Sequence, residues 1–299
     1  MKQLSVQAPP HERSKMSVTW IMCCVLLALI PAAVSGCMYY GRPAVVLLLT
    51  TTCSAFLLEF VALLIRRRTQ SILDCSALVT GLMFGLMLPP EMPLWQAEIG
   101  CFAAVILVKQ VFGGLGRNPV NPAAAGRIIL LIAFAAAWNG TQQTEHSSVS
   151  ALLFGNAAGS IGETSAAAIM LGGVFLWLCG IISAVTPAAF AGSYVLCTWI
   201  AGNDVLTQLF SGTLLFAAVF TAGDSVTTPL TKRGKLLFGL GCGCAAFGLR
   251  QFFDMTVSVT GAVLLMNLLT PLIDRITGIK PFGTDYFPSE ASIKENGYN

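Results

Sequence analysis

Apolar residues run along this chain in ten blocks, at 18–36, 44–65, 71–88, 96–112, 123–139, 166–184, 187–201, 205–222, 236–249 and 255–272. Most charged residues fall between the blocks rather than at helical intervals within them. An apolar stretch of about 20 residues is the length of a membrane-crossing helix. The pattern therefore predicts an all-α polytopic membrane protein with about ten transmembrane helices. Blocks 71–88, 123–139 and 236–249 are short for a full crossing and are expected to be half-helices or strongly buried spans. Broken elements of that kind are tolerated at membrane depth only where protein or a cavity surrounds them.

The flanking charges give the direction of each crossing. With the N-terminus inside, the inner loops carry Arg66, Arg67 and Arg68, then Arg117, then Lys232, Arg233 and Lys235, then Arg275 and Lys280. The outer loops carry only Arg42 and Arg250 as cations. This asymmetry follows the positive-inside rule and calls for an even number of spans with both termini inside. The expected organisation is a cytoplasmic tail over 1–17, a membrane domain over 18–275 and a second cytoplasmic tail over 276–299. Met1 to Ser17 is polar and the apolar run that follows is longer than a signal-peptide core, so it reads as a first transmembrane helix.

Composition agrees. Apolar residues make up 55% of the 299 and charged residues only 10%, against about 25% charged in soluble domains. The basic residues sit at segment ends, a distribution that gives no surface for nucleic acid. The ten cysteines include no C-x-x-C pair, and the two histidines, His11 and His146, lie in loops. No phosphate-binding loop, zinc spacing or nucleophile–His–acid arrangement is present. That excludes a soluble-type hydrolase, and catalysis by the chain alone is not expected. Asn, Thr, Gly and Pro breaks occur in both halves, as in D-C-S-A-L-V-T-G and G-G-L-G-R-N-P-V-N-P, and again in D-S-V-T-T-P and M-N-L-L-T-P. Five spans per half would have opposite orientation, the arrangement of inverted-repeat transporters.

Three polar runs are candidates for chemistry. Gly113 to Pro122 combines helix-stopping prolines with the amides of Asn118 and Asn121, and must find partners for its backbone groups at the membrane surface, in a cavity or on a cofactor. Asp224 to Lys235 leads from an acid through Thr227 and Thr228 into a basic cluster; Asp224 is a candidate cation ligand or a helix-end partner of Lys232. The outer run 156–165 ends in Glu163, Thr164 and Ser165 before an apolar block, and reads as a helix start with a Ser or Thr cap, or as a phosphate site.

Taken together, these runs resemble the RnfD/NqrB family of flavin-carrying membrane subunits of ion-pumping oxidoreductases. The resemblance covers Ile30-Pro-Ala-Ala33, Asp74 to Leu82, Leu88-Pro-Pro90, Phe112 to Ala123, Gly159 to Ser165, Thr228 to Lys235 and Leu265 to Arg275, and chain length favours the RnfD branch. It implies a ten-helix subunit of a complex in a bacterial inner membrane that moves electrons between ferredoxin and NAD and couples them to Na+ or H+ transport. It further implies FMN or riboflavin as cofactor, partner membrane and peripheral subunits, an ion or cofactor path at Asn118, Asn121, Asp224, Thr227 and Thr228, and flavin contacts at Ser148, Ser150, Glu163 and Thr164. The family usually esterifies FMN to a threonine in the outer loop. The corresponding position here is Leu152, which has no hydroxyl, so covalent FMN is doubtful. A non-redox channel, transporter or scaffold on the same framework is the alternative expectation.

Overall fold

The computed structural model describes residues 17–67, 74–134, 148–155 and 159–278. Among them all regular structure is helical. Helix α1 spans Val18–Tyr40 and α2 spans Arg42–Ile65, joined by Gly41 at a positive φ of 69°. Short α3, Ser76–Leu86, is followed by α4, Leu94–Phe102, which continues as a π-helix over Ala103–Gln110. Helix α5 is Pro122–Ala133 and α6 is Val149–Phe154. A single 3-10 turn at Ile161–Glu163 precedes α7, Ala166–Leu178, and α8, Val185–Ile200. The last elements are α9, Val205–Leu209; α10, Gly212–Phe216, continued as a π-helix over Ala217–Thr221; α11, Lys232–Arg250; and α12, Met255–Ile276.

Each of the ten apolar blocks falls on one of these crossings. Block 205–222 alone is divided, into α9 and the longer α10 with its π segment. Residues 71–73 and 135–139 of two blocks lie outside the described residues. Helices α1, α2 and α12 are long and apolar enough to cross a membrane by themselves. The short crossings survive because they are enclosed: every residue of the π segment over Ala217–Thr221 is buried, and so are nine of the eleven residues of α3. The third span of each half, α3 and α10, is a short one. Outward surfaces carry bare apolar side chains such as Leu49, Ile65, Leu171, Trp199, Ile200 and Leu268. Apolar exposure on that scale suits hydrocarbon rather than water. The protein is an all-α polytopic membrane protein.

Caps mark the helix starts as the side-chain chemistry requires. Ser17, Asn121, Ser148, Ser165 and Thr231 each accept a backbone N–H from the first turn of the helix they precede. The cap reading of the Glu163-Thr-Ser run is thereby borne out, with Ser165 accepting from Ala168 N at 3.3 Å. At the end of α4 the chain reverses through Gly113, Gly114 and Gly116, all at positive φ. Only glycine adopts that region without strain, so three such residues in four positions are what permit the reversal.

The starts of α1, α3, α5 and α11 and the ends of α2, α4, α7, α10 and α12 gather at one face, which also carries Arg66, Arg117, Lys232 and Arg233. From the opposite face the segment 159–165 dips between the helices. Ile161 N donates to Leu88 O at 3.0 Å, and Tyr40 brackets Gly159, donating to its carbonyl and accepting from its N–H. Close backbone approach fixes this segment. A Cβ on Gly36 would meet the Ile161 carbonyl, and one on Gly212 would meet the Glu163 carbonyl.

Candidate functional site

At the basic face a cavity of about 60 Å3 opens among Met22, Ser76, Thr80, Lys109, Asn118, Asn121, Asp224 and neighbouring apolar side chains. That is room for several ordered waters or a partly hydrated cation. Asn121 serves two ends. Its Oδ1 caps α5 by accepting from Ala124 N at 3.2 Å, while its Nδ2 donates to Asp224 Oδ2 at 3.3 Å. Asp224 Oδ1 accepts from Val226 N at 3.2 Å, and Thr228 Oγ1 donates to the Asp224 carbonyl at 2.7 Å. Among the described residues no basic side chain pairs with Asp224. Asn118 lines the same cavity, is 9% exposed, and its Oδ1 has no hydrogen-bond partner. A buried acceptor left open beside water-sized space is where an ordered water or a cation belongs.

The five residues expected on an ion or cofactor path therefore do not act alike. Asn118, Asn121 and Asp224 meet at the cavity. Thr228 braces the Asp224 turn from behind. Thr227 is buried beside Asp224 but off the cavity lining, its carbonyl accepting from Thr270 Oγ1 at 3.0 Å. Lys232 is exposed at the start of α11, whose cap is Thr231, so the helix-end alternative for Asp224 is not the arrangement formed.

There are two buried ion pairs among the described residues, one beside this cavity and one away from it, and of their four residues only Glu163 stands among the sequence candidates. Lys109 Nζ lies 2.6 Å from Glu59 Oε2 and donates to Ser76 Oγ at 2.7 Å. Gln110 Nε2 donates to the other Glu59 oxygen at 3.0 Å. The π turn at the end of α4 is what delivers both: Lys109 and Gln110 are buried there, directed at α2 and α3. Arg127 of α5 forms the second pair, 2.8 Å from Glu163 Oε1, and donates to Ser160 Oγ at 2.7 Å. Thr213 Oγ1 donates to Glu163 Oε2 at 2.7 Å. A signal was present in the sequence, since an ionisable residue inside an apolar block is a functional candidate by default.

The four residues expected to contact an outer flavin are separated. Ser148 and Ser150 are exposed at the start of α6 and hydrogen-bond each other at 3.0 Å. Glu163 is turned inward to Arg127, and Thr164 is buried 3.0 Å from Ser35 Oγ. Leu152 is buried under α6.

Buried charge held in pairs, and a mainly apolar cavity that holds a few polar groups at the ends of broken helices, mark a helical membrane protein with ionisable side chains in its interior. A family model described as the NQR2, RnfD, RnfE family matches residues 5–283. The chain belongs to that family. It is 32% identical to the D subunit of the proton-translocating ferredoxin:NAD(+) oxidoreductase complex of Clostridium ljungdahlii, over 94% of this chain and 96% of that one. It is 31% identical to the D subunit of the Na(+)-translocating ferredoxin:NAD(+) oxidoreductase complex of Acetobacterium woodii, over 96% and 98%. To the D subunit of the ion-translocating oxidoreductase complex of Stutzerimonas stutzeri it is 34% identical, over 90% and 93%.

Proposed function

We propose that this chain is the D subunit of an Rnf-type ion-translocating oxidoreductase complex, and that its own part is to carry Na+ or H+ through the cavity at the basic face. One observation carries the ion path: Asp224, a carboxylate with no basic partner among the described residues, shares that cavity with the open Oδ1 of buried Asn118. A lone carboxylate and an amide oxygen are hard ligands suited to a proton or a small hard cation. In a bacterial inner membrane, the clustering of Lys and Arg at this face makes it the cytoplasmic side, with both termini there. The other chains of the complex supply the ferredoxin and NAD chemistry named for the relatives.

Replacing Asp224 by Asn tests the path. The amide keeps shape and hydrogen bonding but removes the charge. In membrane vesicles holding the assembled complex, ferredoxin-driven ion uptake is expected to fall at least tenfold with normal amounts of the chain present. Native uptake in D224N would remove the path from this cavity.

Covalent FMN does not fit the expected outer position, because Leu152 offers no hydroxyl and its side chain is buried. Any flavin on this chain is therefore proposed to be dissociable. In denaturing electrophoresis the polypeptide is expected to show no flavin fluorescence under ultraviolet light, with flavin recovered in the supernatant of the unfolded complex. A fluorescent band would place an ester on another residue, Ser150 being the exposed hydroxyl nearest Leu152.

A further inference from the structure

Lys109 occupies a position that a free cation could take. Its ammonium is bracketed by two oxygens, Glu59 Oε2 at 2.6 Å and Ser76 Oγ at 2.7 Å, and both Lys109 and Ser76 line the cavity that Asp224 and Asn118 share. Glu59 and Lys109 are almost fully buried. Taking two charges out of water often costs more than packing apolar side chains of the same size, so burial of the pair is by itself weak evidence of a stabilising role. Charge arithmetic points elsewhere. Lys109 and Asp224 line one cavity, and Glu59 stands behind Lys109, off the lining but 2.6 Å from its ammonium. Arg66, on the Gln110 carbonyl, and Asp74, on the Ser76 N–H, flank the set with one charge of each sign. Counting only Lys109, its partner Glu59 and Asp224, the surplus is a single negative charge, and one monovalent cation neutralises it.

We propose that Glu59, with Ser76, is a sodium-sized cation site and that Lys109 is its built-in competitor, leaving Glu59 for Asp224 as the cation arrives. The cation enters past Asn118 and takes oxygen ligands from Glu59 and Ser76. Gln110 Nε2 holds the second Glu59 oxygen throughout, so the carboxylate keeps its orientation. The ammonium swings on its four-carbon stem across the cavity to Asp224, which has no other basic partner among the described residues. Charge balances at each end of the exchange: one cation enters, one negative charge is neutralised, and neither carboxylate is left bare. The proposal rests on reading this cavity as the ion path.

Binding to the folded state raises the melting temperature with ligand concentration. The purified complex is therefore melted in NaCl, with choline chloride holding ionic strength constant. In the native complex the response is expected to saturate with Na+. Lys109→Gln removes the competitor and should lower the half-saturating Na+ concentration at least tenfold. Lys109→Arg, whose guanidinium grips a carboxylate through two donors, should raise it. The neutral pair Lys109→Gln with Glu59→Gln should assemble and lose the Na+ response. Should Lys109→Gln alone fail to assemble, Lys109→Arg and the neutral pair still decide the matter. A Lys109→Arg or Lys109→Gln curve that superimposes on the native one overturns the proposal, and so does a neutral pair with a native Na+ response. Loss of uptake in Asp224→Asn together with unchanged Na+ curves would sink the exchange alone, whereas native uptake in Asp224→Asn would sink the ion path beneath it.

Discussion

Arg127 and Glu163 sit at the contact between the helix that follows the glycine run and the segment that dips in from the opposite face. Neither lines the cavity, and their partners include Ser160 and, more distantly, Thr260 on the guanidinium and Thr213 on the carboxylate. Their role is to hold the segment in place. Breaking a buried pair strands a charge and costs about 3–5 kcal/mol, while replacing both partners by neutral groups is often harmless. Arg127→Met is therefore expected to lower the thermal midpoint of the detergent-solubilised chain sharply, and Arg127→Met with Glu163→Gln to recover most of the loss. Equal damage from the single and double variants would mean that the guanidinium's packing, not its charge, is what matters. At this scale the sequence was legible where a polar residue stood in a loop. Asn118, Asn121 and Asp224 were found that way. Glu59, Lys109 and Arg127 were passed over because each is a single charge inside an apolar block, and hydropathy averaged over the block conceals it.

The elements themselves were largely legible, because the ten crossings are written in apolar length and their starts in Ser, Thr and Asn caps. The irregular parts were not. Nothing in Ala103–Gln110 or Ala217–Thr221 distinguishes a π-helix from an α-helix in composition, since the wider turn is imposed by what surrounds it. Yet both π segments end at the cavity, where one supplies Lys109 and the other leads into Asp224. Such widened turns recur at functional sites because they redirect the last side chains of a helix. The glycines show the same division. Gly113, Gly114 and Gly116 are readable as a turn, but Gly36 and Gly212 are needed for partners more than 40 residues away along the chain, which only the tertiary fold reveals.

For the whole molecule, parity is the strongest consequence of the helix count. An even number of crossings returns the chain to the face it left, and the start of α1 and the end of α12 do lie at one face, with Ile21 of α1 lining the cavity and Thr277 hydrogen-bonded to Thr231 at the start of α11. The same face carries Arg66, Arg117, Lys232 and Arg233, and the cytoplasmic placement proposed above rests on that clustering. The loop between α11 and α12, with exposed Phe252 and Phe253, must then face the other side. Single cysteines on a cysteine-free background make this measurable in intact cells. A membrane-impermeant maleimide is expected to label Phe252→Cys readily, and to label Arg233→Cys only after the cells are permeabilised. The reverse pattern would invert the molecule and turn the Asp224 cavity outward. Labelling of both positions in intact cells would contradict the alternation of crossings on which the ion path depends.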